Sequence, residues 1–282
     1  MRNILHDYLT DLHDFQRVAI AIAKGSVSSA SRRIDLRQPG TWEFSGFSQN
    51  GEDGIIDVLR SRLLNSDRRF VEIGSADGVQ NNSSWLFVTS QYHGLMVEGS
   101  RARSAKCERL LAGCGIGAQF INQFVTRENA AALVALSGTR NPDLLSLDID
   151  GNDYHVAAAL LQAGLRPKIV MLEYNSVFGP KRAVTIPYSP EFSYAEAHAS
   201  QLYYGVSLRA WQQLWAVAGY RFITVERNGV NAVFADPTQF EPGFLEQVVP
   251  CEWAENAYQT RVSGKRGEDQ FALIAGMPLV EV

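Results

Sequence analysis

Acidic side chains stand at the ends of the apolar runs in this sequence. One run ends in EIGSADG, residues 72–78, and the next ends at Glu98. Two later runs end in acids at residues 148–153 and 173–175. Apolar runs that alternate with helical segments predict parallel strands, whose carboxyl ends meet along one edge of a sheet. We therefore expect these acids to share one ligand site.

The glycine turn after the first of these runs suits a cationic ligand. It lacks the G-x-G-x-x-G pattern of dinucleotide sites and the G-x-x-x-x-G-K-[ST] pattern of phosphate loops. Gly74, Ala76 and Gly78 keep the spacing of small residues, but Glu72 precedes them. That carboxylate would repel a pyrophosphate and attract an ammonium or a sulfonium. S-adenosylmethionine carries both groups and is the cofactor that we predict.

Glu98 is the second residue of this predicted cofactor site. It lies 24 positions after Gly74, where an acid at a strand end can accept hydrogen bonds from both hydroxyls of a ribose. Gly99 and Ser100 follow it and complete the predicted contacts. Asp77 and Asn81 either contact the cofactor or only cap the helix after the turn.

The elements that position these residues alternate along the chain. Strands are predicted at 69–73, 95–98, 120–125, 144–149 and 168–173, and helices at 51–64, 83–91, 101–111, 127–136 and 154–163. The pattern predicts a parallel sheet with right-handed crossovers and helices on both faces. A helix at 207–218 and a hairpin of 221–226 with 229–234 follow, and this hairpin would form an antiparallel sheet edge.

The segments around this α/β domain differ in character. Residues 3–24 have an apolar stripe at helical spacing, which predicts an amphipathic helix that packs on its own domain or forms a dimer contact. The stripe consists of Leu5, Tyr8, Leu9, Leu12, Phe15, Ala19 and Ile22. SVSSASRR after it predicts a linker. We divide the chain into residues 1–43 (helix and linker), 44–240 (the ligand-binding domain, with a lid-like insertion at 176–205) and 241–282 (an extension packed on the domain).

Composition excludes several classes of protein. The 282 residues are 46% hydrophobic with a net charge of −4, and without a dominant basic stripe a nucleic-acid partner is not expected. Acids at 7, 11 and 14 interrupt any secretory signal, and the apolar run at 18–23 is too short to span a membrane. Cys107, Cys114 and Cys251 form no CxxC pair, which predicts free, mostly buried thiols in a reducing compartment. We expect a cytoplasmic protein.

Several blocks of the sequence resemble a known family. They are FSQNGEDGII (47–56), FVEIGSADG (70–78), NNS (81–83), GLMVEGS (94–100), LLSLDIDGNDY (144–154), VMLEYNSVFGP (170–180), YYGVSL (203–208) and NGVNAVFA (228–235). On these blocks the chain resembles the FkbM-like branch of class I S-adenosylmethionine-dependent methyltransferases. The resemblance implies a Rossmann-like sheet of seven strands with a reversed last hairpin. It also implies an O-methyltransferase that acts on a hydroxyl of a sugar, a glycan or a glycosylated small molecule.

The resemblance further implies roles for single residues. Gln49, Glu52 and Asp53, with Ser48, would lie near the methionyl end of the cofactor; capping of the helix that they begin is the alternative. Some sugar O-methyltransferases similar to this family bind a divalent metal such as Mg²⁺. Carried over, their ligands are Asp148 and Glu173, with Asn175 as a third ligand. Asp148 would also border the cofactor. Where a histidine serves those enzymes as base, this chain has Gly151.

Direct methyl transfer is the chemistry that these residues predict. An acceptor hydroxyl, activated by a metal or a base, would attack the sulfonium methyl group in line. The base candidates are Asp150, His155 and His198. The converging acids Asp148, Asp150 and Asp153 need a cation or raised pKa values. In the alternative interpretation, Asp150 and Asn152 merely shape a turn.

The insertion is predicted to cover the acceptor. Its aromatic side chains suit stacking on a sugar ring, and Lys181 with Arg182 suit a phosphate or carboxylate, although a lid packed on the sheet fits equally well. The aromatic residues are Phe178, Tyr188, Phe192, Tyr194, Tyr203 and Tyr204. Two rival hypotheses remain. One is a non-catalytic ligand-binding or accessory protein that keeps the fold. The other is a metal-dependent hydrolase, which leaves Glu72 unexplained.

Overall fold

The computed structural model of the chain describes residues 4–282, apart from the side chains of residues 4–9 and 11. Within this range the α-helices are α1 (Ile4–Ser31), α2 (Glu52–Arg60), α3 (Ser84–Ser90), α4 (Arg101–Leu111), α5 (Ala130–Leu136), α6 (Asp153–Gln162), α7 (Tyr194–Ala197), α8 (Leu208–Val217), α9 (Ala257–Ser263) and α10 (Gly267–Phe271). The strands are β1 (Arg69–Ile73), β2 (His93–Glu98), β3 (Ala118–Asn122), β4 (Leu144–Leu147), β5 (Ile169–Glu173), β6 (Val184–Thr185), β7 (Arg221–Val225), β8 (Asn231–Ala235) and β9 (Val280–Glu281).

Seven of these strands form one sheet, in the order β3-β2-β1-β4-β5-β8-β7. The first five strands along the chain pair in parallel, and β8 pairs antiparallel with both β5 and β7. The predicted seven-stranded Rossmann-like sheet with a reversed last hairpin is confirmed. Because the strand order reverses between β1 and β4, a crevice opens at their carboxyl ends, where open α/β sheets bind ligands.

Alternate residues of each strand are buried on opposite faces of the sheet. Phe70, Met96 and Leu144 join one apolar core with α2 and α3, while Val71 and Leu145 join a second core with α5, α6 and α8. Side chains of a strand point to alternate faces, so continuous apolar strands require cover on both sides. This is why the helices flank the sheet and the strand ends remain free to form a site.

The first helix differs from its prediction. It continues to Ser31, so the expectation of a linker at SVSSASRR is wrong. Val18 and Ala21 are buried against the domain, whereas Leu12 and Phe15 are 42% and 70% exposed. Two residues of the predicted stripe therefore face away from the core. The side chains of residues 5, 8 and 9, which also belong to the predicted stripe, lie outside the described part of the chain.

The insertion packs against the C-terminal extension. Strands β6 and β9 pair antiparallel, and Val177, Phe178 and Ile186 of the insertion share a third apolar core with Phe271 and Ile274. The side of the site beyond β5 is thus built by two segments distant in sequence. Among the helices of residues 4–282, none combines the length and apolarity needed to cross a bilayer.

Candidate functional site

A cleft of about 630 Å³ lies at the carboxyl ends of β1, β2 and β4. Its walls include nine of the residues predicted for the site: Gln49, Gly74, Ala76, Asp77, Glu98, Gly99, Ser100, Asp148 and Asp150. A smaller cavity of about 50 Å³ adjoins it, and Gln49, Gly74, Gln80 and Asp148 line both. Glu52, Glu72 and Asn81 line the smaller cavity. All the predicted cofactor residues except Asp53 and Gly78 therefore line at least one of these two adjoining spaces.

The turn after β1 touches the end of β4. Gly74 has φ +93°, and a Cβ atom there would lie 1.7 Å from the carbonyl oxygen of Asp148. The amide of Asp148 donates to the carbonyl of Ile73 over 3.0 Å. Only glycine allows both this backbone conformation and this approach. The contact brings the turn and Asp148 together at the boundary of the two cavities.

Glu98 is oriented into the cleft by backbone amides. Its Oε2 accepts from the Ala76 amide over 3.0 Å, and its Oε1 accepts from the Ser100 amide over 2.8 Å. Each carboxylate oxygen can accept a second hydrogen bond. The side chain can therefore still receive two hydroxyl groups from a ligand in the cleft.

Glu72 lacks a partner for one of its buried oxygens. It is 2% exposed, and its Oε1 accepts from the Ser146 hydroxyl and the Asn82 amide over 3.1 and 3.2 Å. Its Oε2 has no hydrogen-bond partner within the described residues. Burial raises the pKa of Glu72 to about 7. A ligand that brings a positively charged donor into the small cavity would satisfy this oxygen.

The segment before α2 divides into structural and cavity-lining residues. Asp53 Oδ2 accepts from the amides of Gly46, Phe47 and Ser48 over 2.8, 2.8 and 2.9 Å, and Ser48 Oγ accepts from the Asp53 amide over 3.0 Å. Asp53 and Ser48 thus hold the loop, and neither borders either cavity. The N-cap of α2 is Gly51, without a side-chain hydrogen bond, so Ser48 is not the N-cap that the capping alternative expects. Burial raises the pKa of Asp53 to about 7.

Three other predicted cofactor residues also have structural contacts. Asp77 is bound by Arg17 of α1 over 2.6 Å and by Lys106 over 3.2 Å. Asn81 Oδ1 accepts from the Ser84 amide over 3.0 Å at the start of α3. Gly78, outside both cavities, has φ +83°, and a Cβ there would crowd the Cys107 sulfur at 2.9 Å. Asp77 and Asn81 line cavities in addition.

Three acids converge beside the cleft. One carboxylate oxygen each from Asp148, Asp150 and Glu173 lie within 4.8 Å of one another. Burial and the charges of Asp150 and Asp153 raise the pKa of Asp148 well above its ordinary value. Burial and the charge of Asp148 do the same for Glu173. These oxygens match the ligand chemistry of a hard divalent cation.

Asp153 and Asn175 do not join this group. Asp153 accepts from the amides of Ile149 and Gly151 over 2.9 and 2.8 Å and thereby shapes the turn. Asn175 Oδ1 accepts from the Val177 amide over 3.1 Å, and its Nδ2 donates to the carbonyls at 202 and 204 over 2.8 and 3.0 Å. These bonds hold the insertion and direct Asn175 away from the predicted ligand role. Asp150 takes its place.

Neither histidine proposed as base borders the cleft. His155 Nε2 lies 2.9 Å from the Ile186 carbonyl, to which it donates, and burial lowers its pKa. His198 Nδ1 accepts from the Ser200 amide over 3.2 Å. Both rings support the insertion. Of the three predicted bases, Asp150 is the one that lines the cleft.

Phe192 explains the glycine at position 151. A Cβ at Gly151 would lie 2.5 Å from the Phe192 ring, so the ring fills the space in which a side chain at 151 would begin. Phe192 also lines the cleft. Asn152 fastens the same segment, since its Nδ2 donates to the Ser189 carbonyl over 2.7 Å.

Several residues of the site were not predicted from the sequence. Gln123 and Phe124 line the cleft because β3 ends at Asn122, not at residue 125 as predicted. A correct strand end would have placed them at the sheet edge. Arg103 and Lys106 also line the cleft, from a helix face that no motif marks.

Comparisons with known proteins find distant structural matches. A scan against protein-family models finds no match, and neither does a search of curated proteins. Among solved structures, an O-methyltransferase from Streptomyces achromogenes involved in tomaymycin synthesis, in complex with S-adenosylmethionine, matches at 15% identity and TM-score 0.44, over 75% of this chain and 93% of its own. An O-methyltransferase from Bacillus cereus in complex with S-adenosylhomocysteine matches at 12% identity and TM-score 0.42, over 78% and 89%.

A methyltransferase from Thiobacillus denitrificans in complex with S-adenosylhomocysteine matches at 13% identity and TM-score 0.38, over 70% of this chain and 71% of its own. Carbon methyltransferases are matched as well. The chain has the Rossmann-like fold, with a mixed seven-stranded sheet and an antiparallel final hairpin. The likeness to these proteins concerns the fold, and the function of this chain has to be inferred from its own residues.

Proposed function

We propose that the chain is an S-adenosylmethionine-dependent O-methyltransferase of the FkbM-like type. The observation that carries the proposal is the buried Glu72 Oε2 without a partner among the described residues, beside a cavity that adjoins the cleft that Glu98 lines. A ligand with an ammonium group at one end and a ribose at the other would satisfy both carboxylates. A dinucleotide or a free phosphate would place negative charge against Glu72.

The cofactor residues divide by position. Glu98 would accept the ribose hydroxyls, with Gly99 and Ser100 beside it. Glu72, Gln49 and Asn81 would border the methionyl end. Phe124, which is 55% exposed in the cleft, offers a ring face for the adenine. Asp148 lines both cavities and would border the sulfonium.

The acid group supports activation of an acceptor hydroxyl. Asp148, Asp150 and Glu173 would hold a hard divalent cation such as Mg²⁺, which when bound lowers the pKa of a coordinated hydroxyl. Asp150 has φ +54° and an exposed side chain that lines the cleft. It is therefore also placed to accept the acceptor proton directly.

We propose a sugar, glycan or glycosylated small molecule as the acceptor. The Phe192 ring in the cleft and the Tyr194 ring, which packs edge-on against Tyr204 at 5.2 Å, give this side of the site aromatic surfaces suited to a sugar ring. The support for this acceptor class is the family resemblance together with these rings.

Calorimetric titration separates this function from a metal-dependent hydrolase, and a methyl-transfer assay separates it from a non-catalytic binding protein. We expect one molecule of S-adenosylmethionine or S-adenosylhomocysteine to bind per chain. A non-catalytic protein of this fold would bind a ligand without transferring a methyl group, and a metal-dependent hydrolase would bind neither compound.

Turnover of Asp148→Ala, measured with and without EDTA, tests the role of the metal. Full activity under both conditions would exclude the proposed role of the cation.

We further propose that α1 mediates self-association. On the helix side away from the core, Phe15, Ile20 and Val27 are 70%, 65% and 70% exposed, while Ala19 and Ala23 lie between them. The 28-residue helix is about 42 Å long and about 10 Å wide, so two such faces would bury about 800 Å² in all, which is the size of a weak, transient interface. A membrane surface is less suited, because interfacial helices are rich in Lys and Arg.

Sedimentation velocity tests this proposal. We expect the chain to dimerise at micromolar concentrations and Ile20→Ser with Phe15→Ser to be monomeric. Val217→Ser is the matched control, since Val217 is 92% exposed on α8. A wild-type chain that stays monomeric at about 100 µM, where an association free energy of only about −5.5 kcal/mol would already give dimers, would refute a role for α1 as an interface.

A further inference from the structure

A buried series of hydrogen bonds connects the C-terminal extension to Glu173. Gln259 of α9 donates from Nε2 to the Tyr204 hydroxyl oxygen over 2.7 Å, and that hydroxyl lies 3.3 Å from Glu173 Oε1. Gln259, Tyr204 and Glu173 are 7%, 3% and 8% exposed. Because the Tyr204 oxygen receives the amide hydrogen of Gln259, its own proton is directed to Glu173.

The far end of the series fixes the orientation of Gln259. Ser176 Oγ accepts from the Asn256 amide over 2.9 Å, so its hydrogen is free for Gln259 Oε1 at 3.5 Å. Asn256 also caps α9, since its Oδ1 accepts from the Gln259 amide over 3.0 Å. With its oxygen turned to Ser176, the Gln259 amide group presents its hydrogens to Tyr204. Hydrogen bonds arranged in such a series strengthen one another in a buried setting.

We propose that Tyr204 and Gln259 are positioning residues that hold the Glu173 carboxylate toward Asp148 and Asp150. This inference rests on the proposed metal-assisted function. Glu173 ends β5 among carboxylates that repel it, and the Tyr204 hydroxyl donates a hydrogen bond to its carboxylate. The C-terminal extension, which lies beyond the family resemblance, thereby completes the acid group.

The contact matters because a cation site requires its carboxylates in one arrangement. Side chains that orient metal ligands typically change metal affinity by about 10- to 100-fold when they are replaced. Without the Tyr204 hydroxyl, the Glu173 carboxylate would be free to turn away from Asp148. The charge of Asp148 repels the Glu173 carboxylate in the present arrangement. Loss of the Gln259 amide would free the Tyr204 hydroxyl to donate elsewhere.

Binding of Mn²⁺ to the full-length chain, followed by electron paramagnetic resonance, tests the inference. We expect Tyr204→Phe and Gln259→Leu each to weaken Mn²⁺ binding about tenfold or more, with the affinity for S-adenosylhomocysteine unchanged. The double variant should bind Mn²⁺ no more weakly than Tyr204→Phe, because the two residues act in series. Tyr203→Phe is the matched control. It removes a 2.6 Å hydrogen bond to the Pro278 carbonyl, which also joins the insertion to the extension.

The outcomes distinguish this inference from the proposed function. If the wild-type chain binds S-adenosylhomocysteine but not Mn²⁺, the metal proposal and the positioning roles both fail and the cofactor proposal stands. If the wild-type chain binds Mn²⁺ and the Tyr204 and Gln259 variants bind it equally well, the positioning roles alone fail. An equal loss in Tyr203→Phe would attribute the effect to packing of the insertion and would also overturn the inference.

Discussion

Protonation of Glu72 should control the affinity for the cofactor. The pKa of Glu72 is about 7 in the free chain, and an ammonium beside it would favour the ionised form. Binding should therefore release a proton at low pH. About one-tenth of the carboxyl groups are ionised at pH 6 and about nine-tenths at pH 8, so the affinity for S-adenosylhomocysteine should rise about tenfold, or about 1.4 kcal/mol.

Replacement of Glu72 by glutamine should abolish this pH dependence. The amide keeps the shape of the side chain but carries no charge, so Glu72→Gln should bind weakly at both pH values. Glu226→Gln is the matched control, because burial also raises the pKa of Glu226 to about 7 while Glu226 lines neither cavity. Calorimetric titrations give the affinities of the three proteins at pH 6 and at pH 8. A wild-type affinity that does not change with pH, or a Glu72→Gln variant with the wild-type pH dependence, would exclude this role of Glu72.

The same substitution should stabilise the free chain at high pH. The pKa of Glu72 is about 7 when folded, against 4.5 as its ordinary value, so the folded chain holds this proton more tightly. The bound proton therefore stabilises the folded chain by about 3 kcal/mol below pH 4.5, and this stabilisation is lost as the pH rises through 7. Urea unfolding should show Glu72→Gln to be more stable than wild type at pH 8 and similar to it at pH 5. Equal stability at both pH values would contradict the assignment.

Three further substitutions probe the two sides of the cleft. Gly74→Ala should lower the free energy of unfolding and abolish S-adenosylhomocysteine binding, because its Cβ would meet the Asp148 carbonyl at 1.7 Å. Gly113→Ala is the control, since no atom lies within 4 Å of a Cβ at that position. A stable Gly74→Ala variant that binds S-adenosylhomocysteine would contradict this contact. Glu98→Gln should weaken this binding about tenfold, since an amide hydrogen would oppose a backbone N–H; unchanged calorimetric affinity would exclude the ribose role. Phe192→Ala should change the affinity for S-adenosylhomocysteine by less than about twofold. A large loss of affinity would indicate that Phe192 contacts the cofactor.

The sheet and its strand ends were predictable because the local signals agree with the global fold. The bounds of β1 and α4 match the predicted ones, and β3 differs by a few residues. Glu72, Gly74, Glu98 and Asp148 all come to the cavities because parallel strands place their carboxyl ends at one edge.

Contacts made by distant segments were not predictable. Nothing near Asp77 in sequence indicates its ion pair with Arg17, which lies 60 residues away. A metal-ligand role for Asn175 was predicted from its position at the end of a strand, but its side-chain amide forms hydrogen bonds with the backbone of the insertion instead. Gln259 belongs to a short helix without a motif, and only the packing of insertion against extension brings it to Tyr204.

A crystal structure of the chain with S-adenosylhomocysteine and Mn²⁺ would test the proposed function in a single experiment. We predict the ribose hydroxyls on Glu98 and the ammonium on Glu72, with anomalous density for Mn²⁺ among Asp148, Asp150 and Glu173. A cofactor bound away from Glu72 and Glu98, or a cleft that stays free of it at saturating concentration, would exclude the proposed cofactor site.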